Sequence, residues 1–442
     1  MPSAPDKIVP AVVAGTTVSI AERVAGWSIA VALLGAAFLL DPFAEAAFDA
    51  PKRLVVLLAA AVGGAALVWR CRGLDWRRWS TSARWIAALA LAGVAGLVVA
   101  TFASPHPEVA WPALRTVALT GLFIPLGASN LSGGPLRARL LWIAGLATAG
   151  NALLSLLQAG GVKLPLDIAR LGGRLPTGAL LGNEGYVALA CALMAAACLA
   201  FALNSAGRRQ RLIALGGVAL GVATIAANQQ ITSAVALGAA AVAIIAVRWN
   251  ARWLIGLGAG IILVGAAAAV LPAVRGMTWS ALPVGGVEGY QRLTTYRVGA
   301  WAAAAEMALA RPLAGYGPGS YAAQGQTQRL AAELRLRERL APAANAAAFV
   351  HAHQDYLQLA AEAGIPTLLA FLAALGAMIA SLSRLARSPG NPEPLALLGV
   401  LSAGAVAALA WFPMQIPFTA VVLLVACGRA WRIIAEQGGA AG

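Results

Sequence analysis

The chain is expected to fold as an all-α polytopic membrane protein, and three observations point there. Of its 442 residues, 60% are hydrophobic and only 11% are charged, whereas a soluble domain carries about 25% charged residues. Its mean hydropathy is +0.78. About twelve segments approach the roughly 20 apolar residues that a helix needs to cross a bilayer. The net charge of +15 fits cytoplasmic loops in so apolar a chain, and no nucleic-acid partner is expected. The four cysteines, Cys71, Cys191, Cys198 and Cys427, are scattered without disulfide or metal spacing. An apolar patch from Ile8 to Val13 is followed by no small-residue cleavage site, so no cleaved signal peptide is expected.

The expected spans lie near 25–40, 54–69, 85–102, 111–127, 139–157, 184–203, 211–228, 231–247, 253–271, 355–382, 395–412 and 417–434. Several are rich in Ala and Gly, which lets helices approach closely within lipid. They divide the chain into an N-terminal membrane region over 1–271 with about nine helices, a large loop over 272–350, and a C-terminal membrane region over 351–442 with about three. Alternate loops, starting from Lys7 and Arg23, are rich in arginine: Arg70, Arg72, Arg77, Arg78 and Arg84; Arg137 and Arg139; Arg208, Arg209 and Arg211; Arg248 and Arg252; Arg384 and Arg387; Arg429 and Arg432. The intervening short loops are poorer. Loop 41–53 sets Lys52 and Arg53 against Asp41, Glu45 and Asp49, and loops 228–231 and 412–417 carry no positive charge. By the positive-inside rule both termini are cytoplasmic, and loops 158–183 and 272–350 face outward.

Those two outward loops are nevertheless basic. The first holds Lys163, Arg170 and Arg174, and the second holds Arg275, Arg292, Arg297, Arg311, Arg329, Arg335, Arg337 and Arg339. Long loops cross regardless of charge, and guanidinium groups bind phosphate in bidentate fashion. Lipid headgroups are the competing use for them. Within the large loop, Thr294–Ala310 reads as a buried or interfacial helix. The segment PLAGYGPGSY (Pro312–Tyr321) follows, with glycines at 315, 317 and 319 that could bring backbone amides to an anion or simply form turns. Thr327–Leu340 reads as an amphipathic helix on the outer membrane surface, with Glu333 and Arg337 as an i,i+4 pair.

Polar chemistry concentrates in FVHAHQDYLQLAAEAG (Phe349–Gly364), which holds two of the three histidines. On a continuous helix His351 and His353 would point roughly 160–200° apart, so they share a ligand only if the helix starts later. If helical geometry begins near Val350, His351 aligns with Asp355, which could orient its imidazole. No third histidine and no cysteine lies nearby, so zinc is not expected. Asp355 and Glu362 are the main acidic groups near a span and lie toward its outer end. That argues against an ion-coupled transporter, which needs ionisable groups near the midplane.

Three segments resemble the O-antigen ligase and O-antigen polymerase superfamily. HAHQDYLQLAAEAGI (His351–Ile365) is similar to its H-N-x-x-L-x-x-x-x-E-x-G pattern. RVGAWAAAAEMALARPLAGYGPGSY (Arg297–Tyr321) resembles its R-x-x-x-W…P-x-x-G-x-G-x-G-x-[FY] segment. RLPTGALLGNEGYVALA (Arg174–Ala190) resembles R-x-x-G-x-x-x-N-P-N-x-x-A. The three occur in family order. Two departures stand out: Gln354 replaces the asparagine after the motif histidine, and Asn183-Glu184-Gly185 replaces N-P-N. WFPMQIPF (Trp411–Phe418) also resembles a proline-containing segment of some relatives.

The resemblance implies a GT-C-like helical enzyme in the bacterial inner membrane with its active site on the periplasmic face. It implies a polyprenyl (undecaprenyl) diphosphate-linked glycan as donor, lipid A–core as acceptor, and membrane lipids as surroundings. Arg174 and Arg297, with Arg170 and Arg292 beside them, would bind the diphosphate. His353 is the first choice for general base, and His351 is second or a positioning partner. Asp355, Glu362, Gln354 and Tyr321 would support them. No metal or other cofactor is expected, because the arginines would supply the positive charge. An O-antigen polymerase and an O-linked protein oligosaccharyltransferase share this donor chemistry and differ in acceptor. A polytopic permease or lipid flippase is the alternative from another class.

Overall fold

The computed structural model describes residues 19–43, 46–70, 79–129, 134–162, 177–205, 207–249, 251, 254, 256, 258, 289, 291, 294, 296–337, 339–340, 349–388 and 391–437. Arg170, Arg174 and Arg292, and most of the expected ninth span, lie outside them. Every regular element described is helical: α1 (Ile20–Phe38), α2 (Ala50–Arg70), α3 (Thr81–Phe102), α4 (Pro107–Gly121), α5 (Phe123–Ala128), α6 (Gly134–Ala159), a 3₁₀ turn (Ala179–Leu181), α7 (Glu184–Asn204), α8 (Arg208–Ala227), α9 (Ile231–Arg248), α10 (Val298–Ala310), α11 (Tyr321–Leu336), α12 (Asp355–Ala363), α13 (Ile365–Leu385), α14 (Glu393–Ala407) and α15 (Pro417–Glu436). Local chemistry sets several starts. Ser19 and Glu22 form a capping box on α1, and the Ser80 hydroxyl accepts from the Ala83 amide at the start of α3.

Ten of these stretches are long and apolar enough to cross a membrane, with α4 and α5 counted together over Pro107–Ala128. The chain is therefore a polytopic all-α membrane protein. Two shorter apolar helices, α10 and α14, accompany them. The expected span 395–412 is the short helix α14. The expected span 355–382 is two helices, because the chain turns at Gly364.

The centre of the bundle is α7, which is apolar all round and so must be covered on every side. Leu189 and Leu193 face a core built with α9, α13, α14 and α15. Val187, Ala188 and Ala192 face another, built with α1, α2 and α6. Large apolar side chains such as Leu91, Val99, Phe102 and Leu212 are exposed on the outer helices, which suits a lipid solvent.

The connections gather at two ends. At one end Ser80 docks on the last turn of α15, with its amide donating to Ala435 O (3.3 Å) and its hydroxyl to Ile434 O (2.7 Å). At the other, Ser104 donates to Tyr316 O (2.7 Å), Arg311 to Ala103 O (3.2 Å) and Lys52 to Leu180 O. This second end carries α10, α11 and α12. α10 is buried along almost its whole length. α11 ends at Leu336, and Arg337 turns left-handed (φ 53°). Glu333 consequently pairs with Arg329 (3.7 Å), in place of the expected Arg337.

Candidate functional site

The site is built outward from the turn at Gly364. α12 ends there with φ 85°, and a proline in the first turn of α13 restarts the helix. The glycine-rich loop clamps this turn. Tyr316 N donates to Ala361 O (3.0 Å), Gly317 N to Glu362 O (2.7 Å) and Ile365 N to Pro312 O (2.7 Å). Gly315, Gly317 and Gly319 all have positive φ, which permits so close an approach. The loop also meets an anion of the chain's own. The Glu362 carboxylate accepts from Tyr321 N and from Gln358 Nε2 (both 3.2 Å). Burial pushes this carboxyl up to about 7 despite those donors. Tyr321 is buried, and its hydroxyl donates to Ala300 O (3.0 Å). Glu362, Gln358 and Tyr321 therefore brace α12 against α10 and α11.

The histidine segment precedes α12 and is not helical. Gln354 is the N-cap, and its side-chain oxygen accepts from Leu357 N (3.2 Å). With the helix starting at Asp355, His351 does not stack over Asp355 as a continuous helix would place it. The Asp355 carboxylate instead accepts from Met414 N (2.9 Å), and its amide donates to Ala408 O (3.1 Å). Asp355 thus ties α12 to the 408–416 segment and does not orient an imidazole. His353 is left-handed (φ 54°), a conformation uncommon outside glycine. This backbone brings both rings onto Phe412. His351 stacks on it at 5.6 Å and 28°, and His353 meets it edge-on at 4.5 Å and 85°. Phe349 and Trp411 also meet His353, at 5.4 and 5.8 Å. Both histidines are half-buried. Burial, then the charge of Arg53, lowers the His351 pKa to about 4, with Asp49 opposing.

Arg297 enters from the start of α10. Its guanidinium lies 4.1 Å over the Trp411 ring and donates to Ala410 O (3.3 Å). Trp301, one turn on, donates from Nε1 to His353 O (3.4 Å). One helix turn therefore positions both the arginine and the favoured histidine. Of the four expected arginines, Arg297 alone lies among the described residues, and it stands beside the histidines.

Sequence reasoning missed the floor of the site. Trp411 and Phe412 stack at 4.9 Å, and Tyr186 joins them edge-on at 6.4 and 6.1 Å. Arg53 donates from Nη2 to Gln415 O (2.8 Å) and is ion-paired with Asp49. Asn183 caps α7 by accepting from Gly185 N (2.8 Å), and Gly185 lies so close to the Trp411 ring that a methyl group there would collide with it. The segment resembling R-x-x-G-x-x-x-N-P-N thus reaches the site through Gly185 and Tyr186. The sequence offered a signal for Trp411 and Phe412 in WFPMQIPF. For Arg53 and Asp49 it offered only a mixed-charge loop about 300 residues from the histidines. No group of three or more His, Cys, Asp or Glu converges among the described residues.

No curated protein matches the chain. Residues 216–372, which carry Arg297, His351, His353 and Glu362, match the family model Wzy_C, described as O-antigen ligase.

Proposed function

We propose that the protein is an O-antigen ligase-type glycosyltransferase of the bacterial inner membrane. It moves a glycan from a polyprenyl diphosphate carrier to a sugar hydroxyl of lipid A–core at the periplasmic face. The observation that carries this reading is the convergence of Arg297 and His353 on one indole, Trp411, within the family-matched segment. The acceptor hydroxyl oxygen attacks the anomeric carbon and the carbon–oxygen bond to the diphosphate breaks. The hydroxyl proton passes to the His353 imidazole, and the electron pair leaves on the diphosphate. Arg297 stabilises the charge that develops there, with Arg174, Arg170 and Arg292 assigned to the same anion from sequence. His353 suits the base better than His351, whose pKa of about 4 makes it a weak proton acceptor. An O-antigen polymerase uses the same steps with a second lipid-linked glycan as acceptor.

The test uses purified protein in detergent, a polyprenyl diphosphate-linked glycan, and lipid A–core, glycan-lipid or peptide as acceptor. Glycan is expected on lipid A–core. His353→Ala should lower turnover by about 10²- to 10⁴-fold, and Arg297→Gln by about 10²- to 10³-fold. Full transfer by His353→Ala would remove it as the base. Growth of glycan on the carrier would make the protein a polymerase, and modified peptide a protein glycosylase. Donor binding with no covalent product would favour transport.

A further inference from the structure

Two groups of different chemistry meet around Trp411 and Phe412. Arg297 lies over Trp411, and His353 contacts both Trp411 and Phe412. His351 stacks on Phe412, and Asp49, just before α2, and Arg53, in its first turn, act on the charge of its imidazole. Arg53 is anchored to this segment through Gln415 O (2.8 Å), three residues beyond Phe412. The two side chains remain accessible, at 43% exposure for Asp49 and 37% for Arg53.

We propose that Asp49, Arg53 and His351 form the acceptor half of the site, a subsite for the hydroxyl groups of an uncharged or weakly charged sugar. This rests on the glycosyltransferase reading and gives its second substrate a location. The charge pattern separates this subsite from a diphosphate site. Arg53 is already ion-paired, so the pair carries no net charge, and the Asp49 carboxylate repels phosphate oxygens. A carboxylate that accepts beside a guanidinium that donates is instead matched to neighbouring sugar hydroxyls, which do both. His351 extends the set. Its Nδ1 is buried with no hydrogen-bond partner among the described residues, which leaves Nε2 to meet a ligand. A neutral imidazole there accepts or donates to a hydroxyl without attracting an anion. Both histidines touch one phenyl ring, so a sugar held by His351 would lie beside His353.

Two single-feature probes test this in titrations of the full-length protein. Undecaprenyl diphosphate carries the anion without a glycan. Core oligosaccharide, freed from lipid A by mild acid, carries the sugars without the lipid. Asp49→Asn and His351→Gln are expected to weaken core oligosaccharide binding about tenfold while undecaprenyl diphosphate binding stays within about twofold. Asp49→Asn keeps size and hydrogen bonding, and Arg53 still has Gln415 O, so the fold is preserved; a thermal melt checks it. Weakened undecaprenyl diphosphate binding in both variants would make this a donor site and overturn the proposal. Unchanged binding of both probes, or no oligosaccharide binding by the wild-type protein, would reduce Arg53 to a clamp on the 408–416 segment and overturn it equally. Failure of the glycosyltransferase reading would show separately, as wild-type protein that binds undecaprenyl diphosphate and transfers no glycan.

Discussion

At the scale of single residues, Glu362 shows how one side chain can fit a family motif and still serve the fold. Its carboxyl accepts from Tyr321 N and Gln358 Nε2, and Gln358 in turn accepts from Ala352 N, between the two histidines. Folded, its pKa is about 7 against an ordinary 4.5, chiefly because it is buried. Between those values the folded chain binds the extra proton. The neutral carboxyl therefore stabilises the fold fully below about pH 4.5, and this contribution is lost as pH rises through about 7. His351, with its lowered pKa, slopes the other way: its contribution is present above about 6.5 and lost as pH falls through about 4. Comparing Glu362→Gln with the parent isolates the first effect. Melting temperature should fall less between pH 5 and pH 8 in Glu362→Gln than in the wild type, and the two should nearly coincide at pH 5. Parallel curves would mean that Glu362 is ionised in the fold. The histidines, Arg297 and Glu362 were legible in sequence because polar residues are rare in so apolar a chain. The partner of Asp355 was not, because it depends on where α12 begins and on Met414, 59 residues away.

At the scale of elements, the break between α12 and α13 decides the geometry of the site. Read as one span, 355–382 would carry Asp355 and Glu362 into the bundle. Split at Gly364, it leaves α12 as a nine-residue helix lying among α10, α11 and the 408–416 segment. The signal was present as Gly364-Ile365-Pro366: a glycine that can end a helix, then a proline that suits the first turn of the next. It was outweighed by unbroken hydropathy, which does not register a change of direction. Gly364 has φ 85°, and a side chain there would strike the Leu313 carbonyl. Gly364→Ala should therefore lower melting temperature and transfer activity together, by a destabilisation of about 1–3 kcal/mol or more. Gly376, within α13, has open space around it. Gly376→Ala should be neutral or stabilise by up to about 1 kcal/mol through helix propensity. Size-exclusion profiles after a temperature series compare the two, and equal tolerance would show that the turn at 364 is not tightly packed.

At the scale of the whole molecule, the connections sort between two ends of the bundle, and everything placed in the site lies at one. Helix identity and order were legible because apolar length is a local property. What joins residue 53 to 415, 185 to 411 and 297 to 410 is packing between distant segments, which no periodicity reveals. Charge predicts which end faces outward. The end opposite the site carries Arg208, Arg209, Arg211, Arg248, Arg384 and Arg387 around its turns, the pattern that holds loops in the cytoplasm. The site end should then face the periplasm, where a lipid-linked glycan and lipid A–core would meet. Leu313 is 78% exposed at the site end, and Ser388 is exposed at the other. With the four native cysteines replaced by serine, Leu313→Cys should react with a membrane-impermeant maleimide in intact spheroplasts. Ser388→Cys should react only after lysis. The reverse pattern would put the histidines on the cytoplasmic side, away from a periplasmic acceptor, and the acceptor assignment would fall even if the chemistry at His353 stood.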